Sequence, residues 1–256
     1  MHNEVLRVAD TARQLVSALE NLRYYCGYEY EMIFVDGGSN DGSVETLLNV
    51  ADIELIRNLR IIPHRETIGK GQAIREGVLA SSGDAVIIID CDLTYGTDIF
   101  RTAVERIGTE ADVVIGSRRL LHDSFVGYTL PRRIISSLYQ TFLRVFGGFG
   151  YSDAQCAFKV FSGKAAHKIF SIARTNGYAY DYEAVMLADK IGCRIMEIPV
   201  QVMGISGADF KMIKHGFTMI HDVLKIKKRL KKIRFVNRRN SAQHLYYRII
   251  LPTKSG

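Results

Sequence analysis

Apolar positions along the chain change period repeatedly, and each change marks an element. Val5, Val8, Ala12, Leu15, Leu19 and Leu22 recur at helical spacing, the stripe that a surface helix turns towards a core. YEMIFVD, 30–36, then reads as a strand, stopped by the Gly-rich GGSNDGS. Val44, Leu47, Leu48 and Ala51 predict a second helix, LRIIPH a strand, GKGQAIREGVLASS a helix and DAVIIID another strand. A helix near 97–108 and the strand DVVIGS continue the series. Strands alternating with helices predict an α/β protein with a parallel sheet, whose functional residues collect at the carboxyl ends of its strands.

Beyond Pro131 the pattern changes. A helix is predicted over 132–146, broken by GGFGYSD; AFKVFS is a short strand, helices follow near 163–173 and 181–191, and CRIMEIPVQV is a last strand. No internal repeat or low-complexity linker intervenes, so the sequence reads as one domain over 1–209 with an appended basic amphipathic helix and tail over 210–256. Within that helix Ile213, Phe217, Ile220, Val223, Leu224 and Ile226 form an apolar stripe among lysines and arginines. Such a face either packs on the domain or lies in a membrane interface. The expectation is packing for 210–224 and contact with an anionic membrane surface for 225–239.

Composition narrows the class. With 47% hydrophobic and 24% charged residues the chain can bury a real core. Cys26, Cys91, Cys156 and Cys193 contain no C-x-x-C pair, so neither a zinc site nor a disulfide framework is indicated, and a reducing compartment fits. No window approaches the roughly 20 apolar residues that span a bilayer. Of 34 Lys and Arg, 11 fall in 223–256, where no Asp or Glu occurs, so residues 1–222 hold 23 basic against 27 acidic side chains. A basic tail on an acidic body suits a phosphate-rich partner or is simply a solvated helix. No nucleic-acid module accompanies it, and nucleic acid is not expected.

Three strand ends carry chemistry: Asp36 with Asp41, Asp90 with Asp92, and Ser117-Arg118-Arg119. On one edge of a parallel sheet these loops converge. An Asp-x-Asp triplet serves as turn or cap chemistry, or it holds a hard cation such as Mg²⁺ or Mn²⁺ together with phosphate oxygens.

VDGGSNDGS, GKGQAIREG, IIIDCDLTY, VIGSRR, SDAQCAFKVF and YDYEAVMLADKIGCRIMEIPV together resemble family 2 glycosyltransferases of GT-A fold, in the branch of dolichol-phosphate mannosyl- and glucosyltransferases, from about Asn3 to the basic helix. The resemblance implies a Rossmann-like, mostly parallel sheet flanked by helices and a GDP-mannose- or UDP-glucose-type donor. It also implies Mg²⁺ or Mn²⁺, and inverting transfer to a polyprenyl or dolichyl phosphate at the cytoplasmic membrane face. By the same likeness Asp36 contacts the base, with Ser39 and Asp41 in its loop. Asp90 lies near ribose or metal, Asp92 binds the cation and Thr94 adds a polar group. Lys70 and Gln72 either line the nucleotide pocket, where helix N-terminal amides favour anions, or are solvated polar residues.

The acceptor decides the mechanism. A polyprenyl monophosphate, ionising near pH ~6, needs cations rather than a base, and Arg118, Arg119, Arg132 and Arg133 flank the loop LLHDSFVGYTLP with the planar forks that phosphate prefers. A sugar hydroxyl needs a base. Asp181 or Glu183 in YDYE is then the candidate, although both also suit the first turn of a helix. Asp153 and Gln155 are polar candidates on the acceptor side, and Cys156 resembles a packing residue. Transfer to a glycan hydroxyl and a non-catalytic nucleotide-sugar-binding relative stand as alternatives.

Three departures from the family pattern bear on these expectations. Gly37 stands where a second aspartate is usual, and Ala208 and Asp209 replace a hydroxyl and a cation, so an acceptor-phosphate ligand is missing or moved to Lys211 or Lys214. The family opens with an apolar strand and a P-x-Y-N-E-like turn, whereas this sequence opens MHNE. His2, Asn3 and Glu4 resemble the tail of that turn. The absent strand belongs between 31–35 and 85–89, which implies a start inside a longer natural chain.

Overall fold

Each predicted change of period becomes an element in the computed structural model. It describes residues 1–56, 58–121, 130–154, 156–203, 209–238 and 246–250, with 131–132, 209–217, 234–238 and 246–250 described as backbone alone. In order come α1 (Val8–Cys26), β1 (Met32–Val35), α2 (Ser43–Ile53), β2 (Leu59–Ile62), α3 (Lys70–Ala80), β3 (Ala85–Ile88), α4 (Ile99–Arg106) and β4 (Val113–Ser117). Then follow α5 (Leu130–Phe142) with a π turn (Leu143–Gly147), β5 (Lys159–Ser162), α6 (Gly163–Ile172), α7 (Tyr180–Lys190), β6 (Ile195–Pro199) and α8 (Asp209–Lys232).

β1 and β2 pair in parallel, Met32 opposite Leu59 through Val35 opposite Ile62. A four-stranded sheet has the order β3-β5-β4-β6. β4 and β6 are parallel, but β5 runs antiparallel to both β3 and β4. The sheet is therefore mixed. Among the described residues between β4 and β5 no further strand occurs, and β5 starts at the carboxyl edge of β4 and runs back.

Strand alternation splits the core into two layers. Val113 and Ile115 of β4 face the layer holding Phe161, Phe170, Val185 and Leu187, while Val114 faces the one holding Val8, Phe34, Phe100 and Phe158. A strand covered on both faces reads as a continuous apolar run, as VVI does.

α8 is packed further along than its charge suggested. Val223, Ile226, Leu230 and Ile233 are buried in the first layer, Arg229 pairs with buried Glu183 of α7, and Lys227 donates to the Phe146 carbonyl. The segment expected to be purely surface is thus half core. Among the described residues of that segment Lys225, Lys228, Lys231 and Lys232 stay exposed. Beyond it an antiparallel hairpin, β7 (Arg234–Arg238) and β8 (Tyr246–Ile250), forms where a tail was expected.

Among the described residues no backbone pairing joins β1 to β3, so the sheet does not close directly between them. Instead the Met1 ammonium donates to the Val35 carbonyl at 2.7 Å, and the Gly37 amide donates to Met1 O at 2.8 Å.

Candidate active site

The loop after β1 is built by its own carboxylates. Asp36 is buried, 2% exposed, and accepts from the Gly38 and Ser39 amides at 3.2 and 3.0 Å and from Ser39 Oγ at 2.5 Å. Asp41 accepts from the Ser43 amide and hydroxyl at the start of α2 and from the Val5 amide. The Ser43 hydroxyl foremost, with those amides, holds the Asp41 carboxyl below its ordinary value against a desolvation that acts the other way. Ser39 Oγ also takes the Asn3 amide, and Asn3 Oδ1 takes the Asn40 amide, so the first residues close on this loop. Gly38 has φ +81°, and a Cβ there would meet the Glu66 carbonyl oxygen at 2.5 Å.

The loop after β3 is different. Asp90 to Gly96 fold through two tight turns, Leu93 N to Asp90 O and Gly96 N to Leu93 O. Leu93 is held left-handed at φ 44°, a conformation a branched residue adopts only where packing compels it. Its side chain is buried in the second layer. The Asp92 carboxylate accepts from Thr94 N at 3.1 Å and keeps its other oxygen without a hydrogen-bond partner among the described residues. Asp90, Asp92 and Thr94 line one pocket with Ile89, Leu93, Tyr95, Gly96 and Phe158, and Met203, following β6, closes on it through the Thr94 carbonyl at 2.8 Å.

Lysines face these acids. Lys70 Nζ lies 2.6 and 2.7 Å from the two Asp90 oxygens and 5.8 Å from the centre of the Tyr180 ring. Desolvation is the largest influence on Lys70 and pulls its pKa down, but Asp90 and Asp181 together outweigh it and the net shift is upward. Asp181, in the first turn of α7, takes the ammonium of Lys159 at 2.7 Å, and Lys159, 1% exposed, also donates to the Cys156 carbonyl. Burial pushes the Asp181 carboxyl upward, with Lys159 and Lys70 resisting. The same burial carries the Cys156 thiol up to about 12, an inert packing group.

Several expected residues stand elsewhere. Gln72 Nε2 points to Glu76 rather than to the acidic loop. The amides of Gly71 and Gln72 are already donated to the Asn176 carbonyl, so the start of α3 is not an open anion site. Its glycines serve close packing instead, since a Cβ at Gly69 or Gly71 would meet the Asn176 or Thr175 oxygen at 2.1 or 2.3 Å. Arg118 is buried and spends Nε and Nη2 on both Asp153 oxygens at 2.6 and 2.8 Å. That fork fastens the end of β4 to the 151–154 segment. Arg119 reaches the Ser136 carbonyl of α5. Glu183 accepts from the Arg174 and Thr175 amides, a structural post. Thr94, Asp92 and Asp90 are brought together; the side chain of Arg132, Gln155, Ala208 and the side chains of Asp209, Lys211 and Lys214 lie outside the described residues.

Sequence reasoning passed over Lys159 and Leu93. The signal for Lys159 was a cation in the middle of the apolar strand AFKVF; for Leu93 no sequence signal existed, because leucine is not a residue that advertises a positive φ.

Two carboxylates, one already bonded to a lysine, do not make a cation cage by themselves: no cluster of three His, Cys, Asp or Glu groups occurs among the described residues, and a cation here would need ligand oxygens as well. Mg²⁺ and its analogues are held in that way, by one or two carboxylates and substrate phosphates.

A mixed, helix-flanked sheet with an acidic pair at a strand end is the arrangement of the GT-A fold. Residues 1–170 match the family described as Glycosyl transferase family 2; the chain belongs to this family and is a glycosyltransferase. It resembles the dolichyl-phosphate beta-glucosyltransferase of Dictyostelium discoideum, 27% identical over 235 residues, 88% of this chain and 71% of that protein. The Saccharomyces cerevisiae protein of the same name is 27% identical over 229 residues, 83% and 69% of the two chains. Dolichyl-phosphate beta-glucosyltransferase ALG5A of Trichomonas vaginalis is 29% identical over 204 residues, 78% of this chain and 62% of that one. Among solved structures, glucosyl-3-phosphoglycerate synthase from Mycobacterium tuberculosis with phosphoglyceric acid superposes with a TM-score of 0.63 at 15% identity, covering 96% of this chain and 84% of that one. The same enzyme with Mn²⁺, UDP-glucose and phosphoglyceric acid gives 0.61 at 15% identity, covering 96% and 84%. At that identity the likeness shows the fold.

Proposed function

We propose that this glycosyltransferase moves a hexose from a nucleotide-sugar donor of the UDP-glucose or GDP-mannose type to a polyprenyl phosphate such as dolichyl phosphate, with inversion at the anomeric carbon. The names of its relatives favour glucose. The observation that carries the choice of acceptor is the pairing of Asp181 with buried Lys159. Asp181 is the carboxylate best placed to act as a base, and one of its oxygens is already held by an ammonium. A hydroxyl acceptor would need that base. A phosphate monoester, with its second ionisation near pH ~6, is mostly deprotonated on arrival and attacks unaided. Direct attack without a protein nucleophile inverts the centre.

Asp92, with Asp90, would hold Mg²⁺ or Mn²⁺, and the solved neighbour crystallised with Mn²⁺ and UDP supports that choice. When bound, the ion neutralises charge on the departing nucleoside diphosphate. Lys70 places a second positive charge beside the same leaving group. Asp36, Ser39 and Asp41 shape the donor loop. Arg118, clamped to Asp153, walls the acceptor side, where Arg119 and Arg133 supply cations. No helix among the described residues is long and apolar enough to cross a membrane; the reading places the protein peripherally on an anionic membrane, at its cytoplasmic face, with no nucleic-acid partner.

The test is purified protein with radiolabelled UDP-glucose or GDP-mannose, Mg²⁺ or Mn²⁺ and dolichyl phosphate in detergent micelles. Acid-labile label should enter the organic phase. Label confined to an aqueous glycan would replace the acceptor, and nucleotide binding without any product would make the protein a non-catalytic relative.

A further inference from the structure

Along α5 the side turned to the protein is mixed, Tyr139, Phe142 and, in the π turn, Leu143 packing on the core beside polar residues. Its inward face carries Ser136 and Gln140, each 4% exposed, while Leu130, Ile134 and Leu138 stand 73%, 59% and 65% exposed, and Val145 and Phe146 of the π turn continue the exposed run at 65% and 57%. Leu130, Ile134 and Leu138 are four residues apart, one stripe of the helix surface. With a rise of about 1.5 Å per residue the run from Leu130 to Val145 extends ~22 Å.

The inward polar residues have work to do. Gln140 donates to the Tyr151 carbonyl at 3.0 Å and accepts from the Ala154 amide at 3.2 Å, and the Ser136 carbonyl takes Arg119. These contacts fix which side of α5 faces the protein. The apolar side is therefore held outwards by the same bonds that brace the acceptor edge of the site. A contiguous exposed apolar face of this kind marks an interaction surface.

Its surroundings select the partner. Between Asp123 and Asp153 the sequence contains no acidic residue, and none follows Asp222. Arg133 and Arg144 flank the stripe on exposed positions. The Lys227–Phe146 bond sets α8 against the π turn, which brings exposed Lys228, Lys231 and Lys232 to the same end. Exposed apolar side chains flanked by cations are the chemistry of an anionic bilayer interface.

We infer that the outer face of α5 and its π turn is the docking surface for an anionic lipid bilayer, with the exposed lysines of α8 as its electrostatic rim. This deepens the lipid-acceptor reading, because Arg119 joins the docked helix to the acceptor edge. Its test does not depend on that reading.

The experiment is flotation of the full chain with vesicles of phosphatidylcholine and phosphatidylglycerol that contain no polyprenyl phosphate. Wild type should float with these and far less with pure phosphatidylcholine. The Ile134→Ser/Leu138→Ser variant should lose at least ~10-fold in partitioning, with its melting temperature and UDP affinity unchanged, since both side chains are exposed. Lys228→Gln/Lys231→Gln should lose less, and its remaining binding should be less sensitive to salt than that of wild type. Equal flotation of wild type and the α5 variant overturns the inference. So does a wild-type dimer in sedimentation velocity that the α5 substitutions dissociate, because a second copy then covers the face. If flotation follows the expectation but no lipid-linked sugar forms, the acceptor assignment fails and the docking surface stands.

Discussion

Two loops leave the carboxyl ends of β1 and β3, both written as an aspartate followed by a second acid, and they do opposite things with their charge. After β1, Asp36 and Asp41 turn every described bond inward, onto amides and hydroxyls within seven residues or onto Val5. After β3, Asp90 and Asp92 face a lysine and a pocket, and the strain is carried by Leu93. The first loop is a carboxylate-built scaffold. The second is a carboxylate site that a scaffold presents. A strand-end acid thus acquires meaning from how many donors its own loop supplies: GGS offers two amides and a hydroxyl, whereas CDLT offers Asp92 one amide.

The sharpest way to break this comparison is to remove the outward acid. Asp92→Ala should lower turnover by ~10³-fold, equivalent to about 4 kcal/mol of transition-state stabilisation, and abolish the metal dependence of nucleoside diphosphate binding. Thermal stability should change little, because the side chain is only partly buried and loses one hydrogen bond. Titration calorimetry with UDP or GDP, with and without Mn²⁺, reads the effect; affinities that match wild type in both conditions would remove Asp92 from the site. The inward acid should behave the other way. Asp36→Ala leaves two amides and a hydroxyl without their acceptor in a buried place, so stability should fall by about 2 kcal/mol in denaturant unfolding. A variant as stable as wild type but unable to bind nucleotide would show that Asp36 faces the ligand rather than its own loop.

Most of the fold was legible because periodicity reports burial. The helices and strands through β6 fall where the spacing of apolar residues placed them, and the six motif blocks converge on the family found. The antiparallel run of β5 was not legible, since period two carries no direction; only its pairing with β3 and β4 shows it. In the site, the acids were visible and their partners were not. Whether Asp181 meets Lys159 depends on β5 and α7 lying side by side, a tertiary fact. The glycines of GKGQ looked like an anion cradle, yet Gly69 and Gly71 are needed where the Asn176 and Thr175 carbonyls approach. The basic run 225–239 concealed the continuation of the buried stripe to Leu230 and Ile233 and the strand β7, because charge on one face says nothing about the other.

The smallest expected effect concerns the cation that links the outward loop to α3. Lys70 and Asp90 are 29% and 34% exposed, so solvent screening limits the pair to within about 1 kcal/mol. The Lys70 pKa is raised above its ordinary value of 10.5. A raised lysine contributes stability that is fully present below the unfolded pKa and is lost as pH rises through the folded one. Wild type should therefore lose slightly more stability than Lys70→Gln between pH 9 and the alkaline limit, with the two curves parallel below pH 9. The comparison predicts a second consequence. Because Asp90 faces outward, freeing it from Lys70 should weaken nucleoside diphosphate binding more than it weakens the fold. Parallel unfolding curves throughout, measured together with unchanged diphosphate affinity, would reduce the Lys70–Asp90 pair to a surface contact and leave Asp92 as the loop's working acid.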